Sequence, residues 1–196
     1  SLMIYFKTKK IKFDLSLLIE LLKKRLGEKG TLIFPTYNWD FCNGKNFHYK
    51  FTPSQTGHLS NLALRMGFVR SKNPIYSFVS WGKDSRYIST LEHNSCFGLN
   101  SPYGYMIENN GKNLFIGINF KNALAFVHVA EEIVGVNFRE FKYFEGKCKY
   151  ATGEINKKIR MYVRKNNCNV VTEISEKMDK ELIKQNGFKN KNLGEC

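Results

Sequence analysis

The sequence predicts an α/β fold, a three-layer mixed sheet flanked by helices with a late antiparallel hairpin. Apolar residues recur at helical spacing over residues 15–22, and a short buried strand over residues 31–34 follows directly. After residue 134 the period changes, and residues 139–150 and 157–164 alternate around a turn as paired strands do. Helix–strand units followed by a hairpin are typical of a mixed sheet covered by helices.

The first helix has signals at both of its ends. Asp14 is placed to cap its N-terminus, and Gly27 can end it after three basic residues that suit the helix dipole. Pro35 ends the strand that follows. Residues 38–58 are polar and aromatic with scattered glycine and proline, which predicts a long loop of the kind that often carries function.

The rest of the chain continues the alternation of helices and strands. The patterns predict a helix over residues 59–66, a strand over residues 78–82 and a second buried strand over residues 114–118. An apolar helix over residues 124–134 precedes the hairpin, and an amphipathic helix over residues 174–185 follows it.

Length and composition fit one soluble domain. A chain of 196 residues can bury one hydrophobic core and is short for two. The hydrophobic fraction of 42%, with 16 Phe and 10 Tyr, argues against disorder. The apolar runs are far shorter than the roughly 20 residues of a membrane span, and no signal peptide is visible. We therefore expect a cytoplasmic protein with no membrane partner.

The charge and the cysteines limit the kinds of ligand. A net charge of +14 implies attraction to anions, either nucleic acid or a phosphorylated small molecule, although lysine is also abundant along the whole chain. The five cysteines are odd in number, and no two of them have CxxC spacing. This pattern fits reduced thiols better than disulfides or a zinc site, so we expect no metal. A cysteine nucleophile is an alternative, but no local sequence signature marks one.

His128 differs from the other three histidines, which are His48, His58 and His93. Glu131 lies three residues further on within a predicted helix, so both side chains share one face and the carboxylate can reach the imidazole. A histidine held beside a carboxylate can accept a proton near neutral pH. The spacing alone is not specific, because structural and exposed histidines are common.

Several short segments follow one another between about residues 27 and 165. They are GTLIFPT at residues 30–36, GHLSN at 57–61, VRSKNPIYS at 69–77, FGLNSPY at 97–103 after His93, LFIG at 114–117, HVAE at 128–131 and FR at 138–139. In order and spacing, these segments resemble the aminoglycoside 3-N-acetyltransferase family. The resemblance implies a coenzyme A-dependent N-acyltransferase whose catalytic residues are His128, as general base, and Glu131, which orients it.

The resemblance also implies the two substrates and the residues that line them. The acyl donor is acetyl-CoA or another acyl-CoA, and the acceptor is a small-molecule amine, an amino sugar. Thr36, Arg70, Ser71 and Ser77 are expected to line the acyl-CoA or acceptor side. A capping role for Arg70 and a turn role for Ser71 are the structural alternatives. A thioester is already activated, so no covalent enzyme intermediate is required.

The chain also departs from the family pattern. Asn73 stands where a histidine usually precedes the proline, and Ala125 stands where a threonine is common. We expect a single domain over residues 1–196 that lacks the family's first strand and C-terminal helix. Such a chain would bind CoA weakly or not at all, and its unpaired strand edge would favour a homo-oligomer.

The sequence of residues 160–165 bears on the acceptor. It reads RMYVRK where aminoglycoside-modifying relatives carry acids, and Arg160, Tyr162 and Arg164 would share one face of a strand. Two guanidinium groups and a ring suit a phosphate with a base or sugar, which predicts an amino sugar on a nucleotide or other anionic group in preference to an aminoglycoside antibiotic. In the structural alternative, this face points at solvent.

Three other functions stay open. They are aminoglycoside acetylation that confers antibiotic resistance, an inactive member of the family, and a basic nucleic-acid-binding protein. The last has only the net charge and the aromatic content in its favour, because no helix-turn-helix, RNP-like or zinc-finger pattern is present.

Overall fold

The computed structural model describes residues 14–116, 118, 125–168, 176–185 and 187. The chain divides into two compact units. The main unit comprises residues 14–112 and 126–166, and the second unit comprises residues 1–13, 113–125 and 167–196. In chain order, the elements are α1 (Leu15–Leu26), β1 (Thr31–Pro35), a 3₁₀ helix (Asp40–Asn43), β2 (Phe47–His48), α2 (His58–Arg65), β3 (Val69–Arg70), β4 (Phe78–Gly82), α3 (Ser85–Thr90), α4 (Pro102–Glu108), α5 (Val127–Val134), β5 (Arg139–Tyr150), β6 (Gly153–Arg164) and α6 (Glu176–Lys184).

Helix α1 begins and ends where the sequence predicts. The Asp14 carboxylate accepts a hydrogen bond from the backbone N–H of Ser16 at 2.8 Å, which caps the first turn. Gly27 ends the helix at a φ of 66°, a left-handed value that favours glycine, and its N–H donates to the carbonyl of Lys23. These caps fix where the chain turns into β1.

The core of the main unit lies between α1, α2 and an antiparallel sheet of order β1-β4-β3. Its buried members come from both helices, from two strands and from the turn after α2: Ile19, Phe34, Ala63, Phe68 and Val79. Truncating a fully buried isoleucine such as Ile19 to alanine typically costs about 2–5 kcal/mol of stability. This packing gives the first sheet a rigid helical backing.

A second sheet of order β2-β5-β6 contains the predicted hairpin. Strands β5 and β6 pair antiparallel over their full lengths, from Arg139 opposite Arg164 to Tyr150 opposite Gly153. The short strand β2 forms within the predicted loop at residues 38–58 and pairs parallel with β5. Among the described residues, the second sheet is therefore mixed and the first is antiparallel.

The α/β class with helices flanking the sheet is confirmed, but the described strands form two three-stranded sheets instead of one. The hairpin pairs with β2, which the polar loop sequence does not predict. The strand expected over residues 114–118 is not formed at residues 114–116, which have no regular secondary structure and where Leu114 is 66% exposed. Residue 117 lies outside the described residues.

Both predicted helices that flank the hairpin are present. Helix α5 begins at Val127, and residue 124, where the pattern starts, lies outside the described residues. Helix α6 belongs to the second unit and is followed by Gly187, whose N–H donates to the carbonyl of Leu182. Within the described parts of the chain, no helix has the length and apolar character that crossing a bilayer requires.

Candidate active site

Helix α5 carries the predicted catalytic pair on one face. His128 and Glu131 are three residues apart, so their side chains meet along the helix surface. Gly135 ends the helix in a left-handed conformation, with a φ of 70°, and its N–H donates to the carbonyl of Glu131 at 3.0 Å. The chain then turns directly into β5, which brings the first residue of that strand beside the pair.

The two side chains are in hydrogen-bond contact. His128 Nδ1 lies 2.6 Å from Glu131 Oε2. A carboxylate only accepts hydrogen bonds, so the Nδ1–H donates to it and the lone pair of the neutral ring is on Nε2. His128 is 27% exposed, so this nitrogen belongs to a side chain that solvent reaches. We call His128 and Glu131 the dyad.

Arg139, at the start of β5, completes a group of three side chains. Its Nε lies 2.7 Å from the same Glu131 oxygen, as an ion pair in which the N–H is not aligned for a hydrogen bond. Its Nη1 donates to the carbonyl of Tyr162 on β6 at 3.1 Å. The carboxylate oxygen therefore lies between an imidazole and a guanidinium.

The surroundings of His128 keep its imidazole neutral. Burial lowers its pKa below the ordinary value, the hydrogen bond to Glu131 raises it, and the charge of Arg139 lowers it again. The net direction is downward, so the ring is deprotonated at neutral pH. A neutral histidine with its lone pair directed away from its carboxylate partner is suited to general-base chemistry.

Phe97 forms an apolar wall of the site. Its fully buried ring meets the His128 imidazole edge to face, with ring centroids 5.1 Å apart. Four residues later, Ser101 caps α4 by accepting a hydrogen bond from the N–H of Tyr103. The FGLNSPY segment thus supplies a packing residue for the histidine and the start of a helix.

A second carboxylate, Glu132, has partners of its own. Both of its oxygens lie 2.7 Å from the hydroxyl of Ser95, and Arg160 Nη2 lies 3.9 Å from one of them. Ser95 and Arg160 form an isolated parallel β-bridge, which joins the backbone before α4 to β6. Neighbouring residues of α5 therefore contact different charged groups, and only Glu131 contacts the histidine.

The three residues predicted to bind the acceptor have different surroundings. They share one face of β6. On the neighbouring strand β5, Phe141 lies opposite Tyr162 and belongs to the same face. Arg160 is 42% exposed in its side chain and lies over the Phe141 ring at 4.3 Å, and Arg164 is exposed. Tyr162 is buried and its hydroxyl donates to the carbonyl of Val136 at 2.7 Å. The face lies beside α5, and its binding role stays a prediction.

The residues predicted to line the CoA side form a separate buried cluster: Thr36, Arg70, Ser71 and Ser77. The Thr36 and Ser77 hydroxyls lie 2.9 Å apart, and Arg70 Nε donates to Ser77 Oγ at 3.0 Å. The Ser71 hydroxyl accepts the backbone N–H of Phe78. Their hydrogen bonds in this structure are made within the chain, and a role in binding CoA stays a prediction.

Aromatic rings run from the dyad toward that cluster. Phe97, in contact with His128, meets Tyr76 at 4.7 Å between ring centroids, and Tyr76 meets Tyr37 at 4.4 Å. Tyr37 follows Thr36 in the chain. Within the described part of the chain, no hydrogen bond joins the dyad to the buried cluster, so the sequence-predicted site residues fall into two groups.

His93, Cys42 and Cys96 are less suited to catalysis than His128. His93 is buried with its Nδ1 against the carbonyl of Ser95 at 2.6 Å, and burial lowers its pKa. Burial raises the pKa of the Cys42 thiol to about 11 and that of Cys96 well above its ordinary value. A protonated thiol is a poor nucleophile. In the described ranges, no group of three or more His, Cys, Asp or Glu is placed to hold a metal ion.

Two residues of the site have no role in the sequence interpretation. Arg139 lies in the FR pair at residues 138–139, and Phe97 opens the FGLNSPY segment, but neither pattern states what its side chain contacts. A basic residue at the first position after a helix–turn–strand junction is the only local signal for Arg139. The contact with Glu131 depends on the turn at Gly135, which sequence spacing does not specify.

Comparisons with known proteins agree with this architecture. The profile of the family described as aminoglycoside 3-N-acetyltransferase matches residues 7–195. Aminoglycoside acetyltransferase AAC(3)-Xa has a TM-score of 0.73 and 16% identity, over 90% of this chain and 71% of its own. The structure of AAC-IIIb, a binary complex with CoASH, has a TM-score of 0.68 and 19% identity over 87% of this chain and 70% of its own.

A third similar structure is the YokD protein from Bacillus subtilis, with a TM-score of 0.65 and 20% identity over 79% of this chain and 70% of its own. A search of the curated proteins found no match. At these identities the structural likeness establishes the fold, whereas the family profile covers nearly the whole chain. The chain belongs to the aminoglycoside 3-N-acetyltransferase family, a family of N-acetyltransferase enzymes.

Proposed function

We propose that this chain transfers an acetyl group from acetyl-CoA to the amine of an amino sugar, with His128 as the general base. The observation that carries the proposal is the 2.6 Å contact between His128 Nδ1 and Glu131, which leaves Nε2 as the basic atom of a neutral ring. The donor is supported by the AAC-IIIb structure, which is a binary complex with CoASH. Family membership favours this enzyme over the nucleic-acid-binding alternative.

The proposed reaction needs a proton acceptor and fixed geometry. An amine is protonated at neutral pH and attacks only after it has lost one proton to solvent. As the C–N bond forms, His128 Nε2 accepts a second proton from the attacking nitrogen. The C–S bond of the thioester then breaks, and the imidazolium gives this proton to the departing sulfur, so the products are the amide and the free thiol. Glu131 stabilises the imidazolium between these two steps and holds the ring in one tautomer.

The test is acetyl transfer by His128→Asn. Loss of a positioned general base typically lowers the rate about 10²–10⁴-fold, and we expect a fall of that size in kcat/KM with acetyl-CoA and an accepted amine. His58→Asn changes an exposed histidine at the start of α2 and serves as the matched control. Full acetyl transfer by His128→Asn would show that His128 is not the base.

For the acceptor, we propose an amino sugar that carries a phosphate or another anionic group, in addition to the aminoglycosides that the family name denotes. Arg160 supports this choice, because its half-exposed guanidinium stacks on Phe141 and lies 3.9 Å from Glu132, which follows His128 by one turn of α5. Two unit charges about 4 Å apart near a protein surface interact by roughly 4 kcal/mol, so a guanidinium favours anions and repels polycations. Glu132 offsets part of this preference.

A substrate comparison tests the acceptor independently of the base. Kanamycin-like and gentamicin-like amines and nucleotide-linked amino sugars would each be assayed with acetyl-CoA, on the wild-type protein and on Arg160→Glu. We expect the charge reversal to raise KM for the anionic acceptors and to lower KM for the cationic ones. Efficient acetylation of the antibiotics alone, unaffected by Arg160→Glu, would contradict the anionic acceptor and leave the proposed reaction intact.

A further inference from the structure

We propose that Arg139 is a positioning residue of this site, whose guanidinium fixes the Glu131 carboxylate in the place from which it orients His128. The inference rests on the proposed function, because it gives Arg139 a part in the same proton transfer. Arg139 would not contact substrate. It acts through Glu131, whose Oε2 is shared between the guanidinium at 2.7 Å and the imidazole at 2.6 Å.

The guanidinium is itself held from two sides. Arg139 is the first residue of β5, and its Nη1 donates to the carbonyl of Tyr162 on the paired strand. Tyr162 is anchored in turn by its hydroxyl, which donates to the carbonyl of Val136 in the turn after α5. These bonds join the helix end, the turn and both hairpin strands, so the position of Glu131 is set by the hairpin as well as by its own helix.

Burial makes the ion pair strong enough to affect the histidine. The Arg139 side chain is 9% exposed and Glu131 is mostly buried, so solvent screens the pair weakly. A carboxylate beside a histidine favours the charged imidazolium, and a cation on the same carboxylate opposes that effect. Arg139 contributes in this direction to the lowered pKa of His128, after the larger effect of burial.

Among the described residues, the charged groups that act on His128 come from two elements. Glu131 acts from its own helix and Arg139 from β5. Glu132 and Arg160 lie near the same helix turn but face each other, and Phe97 on the remaining side is uncharged. A purely structural ion pair between Arg139 and Glu131 would stabilise the junction of α5 and β5 without contributing to proton transfer at His128, so the pH dependence of kcat/KM separates the two roles by experiment.

The test uses Arg139→Ala in the full chain. The histidine titrations are followed by NMR, with the His128 signal assigned by its loss in His128→Asn, and kcat/KM is measured against pH. We expect the pKa of His128 to rise, the acid limb of the rate profile to move to higher pH, and kcat/KM at neutral pH to fall by up to about a hundredfold, as for a catalytic group displaced by about 1 Å. Arg86→Ala, at an exposed position of α3, should match the wild type.

Chemical rescue sharpens the test. Millimolar guanidinium chloride should restore part of the rate of Arg139→Ala, whereas urea at the same concentration and sodium chloride at the same ionic strength should not. If Arg139→Ala fails to fold, Arg139→Gln keeps a polar side chain and should show the same rise in the His128 pKa. An unchanged pKa of His128 in the folded variant overturns the inference. A raised pKa in a protein that acetylates no amine would instead refute the proposed function.

Discussion

Two arginines of the main unit whose side chains are largely shielded from solvent, Arg70 and Arg139, have partners of opposite kinds. Arg70 is 2% exposed and donates to Ser77 Oγ and to three backbone carbonyls. Arg139 pairs with the Glu131 carboxylate, which it shares with His128. No carboxylate in the described residues forms an ion pair with Arg70. Arg70, bonded to neutral acceptors, crosslinks segments of the backbone. Arg139, which shares a carboxylate with His128, can affect the chemistry of that histidine.

The partners of Arg70 show what it crosslinks. The carbonyls belong to Thr36 after β1 and to Tyr49 and Thr52 in the loop after β2, and the Phe47 ring lies 4.8 Å from the guanidinium carbon. Burial lowers its pKa to about 10, which still leaves it charged at neutral pH. Carbonyl dipoles and a ring face therefore solvate this cation in place of water or a counterion.

The largest effect that this comparison predicts is on stability. Arg70→Met fills similar space but removes the donor to the Tyr49 and Thr52 carbonyls, whereas the Thr36 carbonyl and the Ser77 hydroxyl keep their contacts with each other's residue. We expect the free energy of unfolding to fall by about 3 kcal/mol or more. Urea denaturation followed by circular dichroism measures it. Arg86→Met is the exposed control, and a loss in Arg70→Met no larger than in that control would contradict the crosslinking role.

The next effect is on activity and separates the two carboxylates of α5. Glu131→Gln can turn an N–H toward His128 Nδ1 and removes the charge that stabilises the imidazolium, so we expect kcat/KM to fall about a hundredfold, equivalent to about 2.7 kcal/mol. Glu132→Gln changes a carboxylate bound to Ser95, and we expect it to lose far less. Equal losses of kcat/KM in steady-state assays of both variants would show that the contact of Glu131 with His128 does not determine the rate.

Local signals predict much of the fold and one contact of the site, that between His128 and Glu131. The caps of α1, the helix of His128 and the hairpin all follow from spacing and turn residues within a few positions of one another. The i, i+3 pairing of His128 with Glu131 is of the same local kind, because the geometry of a helix alone brings them together. The structure confirms that contact, and its catalytic role stays a prediction.

Long-range contacts could not be predicted from the sequence. The pairing of β2 with β5 joins a polar loop to a strand about a hundred residues later, and nothing in the loop marks its partner. The buried environment of Arg70 and the attachment of Arg139 to Glu131 depend in the same way on how distant segments pack. An arginine in a sequence motif does not reveal whether carbonyls, a carboxylate or a substrate will face it.

The smallest effect extends the comparison to two histidines, His93 and His128. Both have a pKa lowered by burial, but His93 donates to a backbone carbonyl and His128 to a carboxylate. A histidine whose pKa is lower in the folded protein binds more protons in the unfolded chain. Its contribution to stability is therefore fully present above the unfolded pKa of about 6.5. That contribution is lost as the pH falls from the unfolded pKa toward the folded pKa. We therefore expect the unfolding free energy to decrease on acidification from neutral pH, and His93→Asn, which cannot take up a proton, to decrease less steeply. Urea denaturation at a series of pH values measures the slope, with exposed His58→Asn as the control. An equally steep decrease in His93→Asn would show that burial of this ring does not contribute to the acid sensitivity.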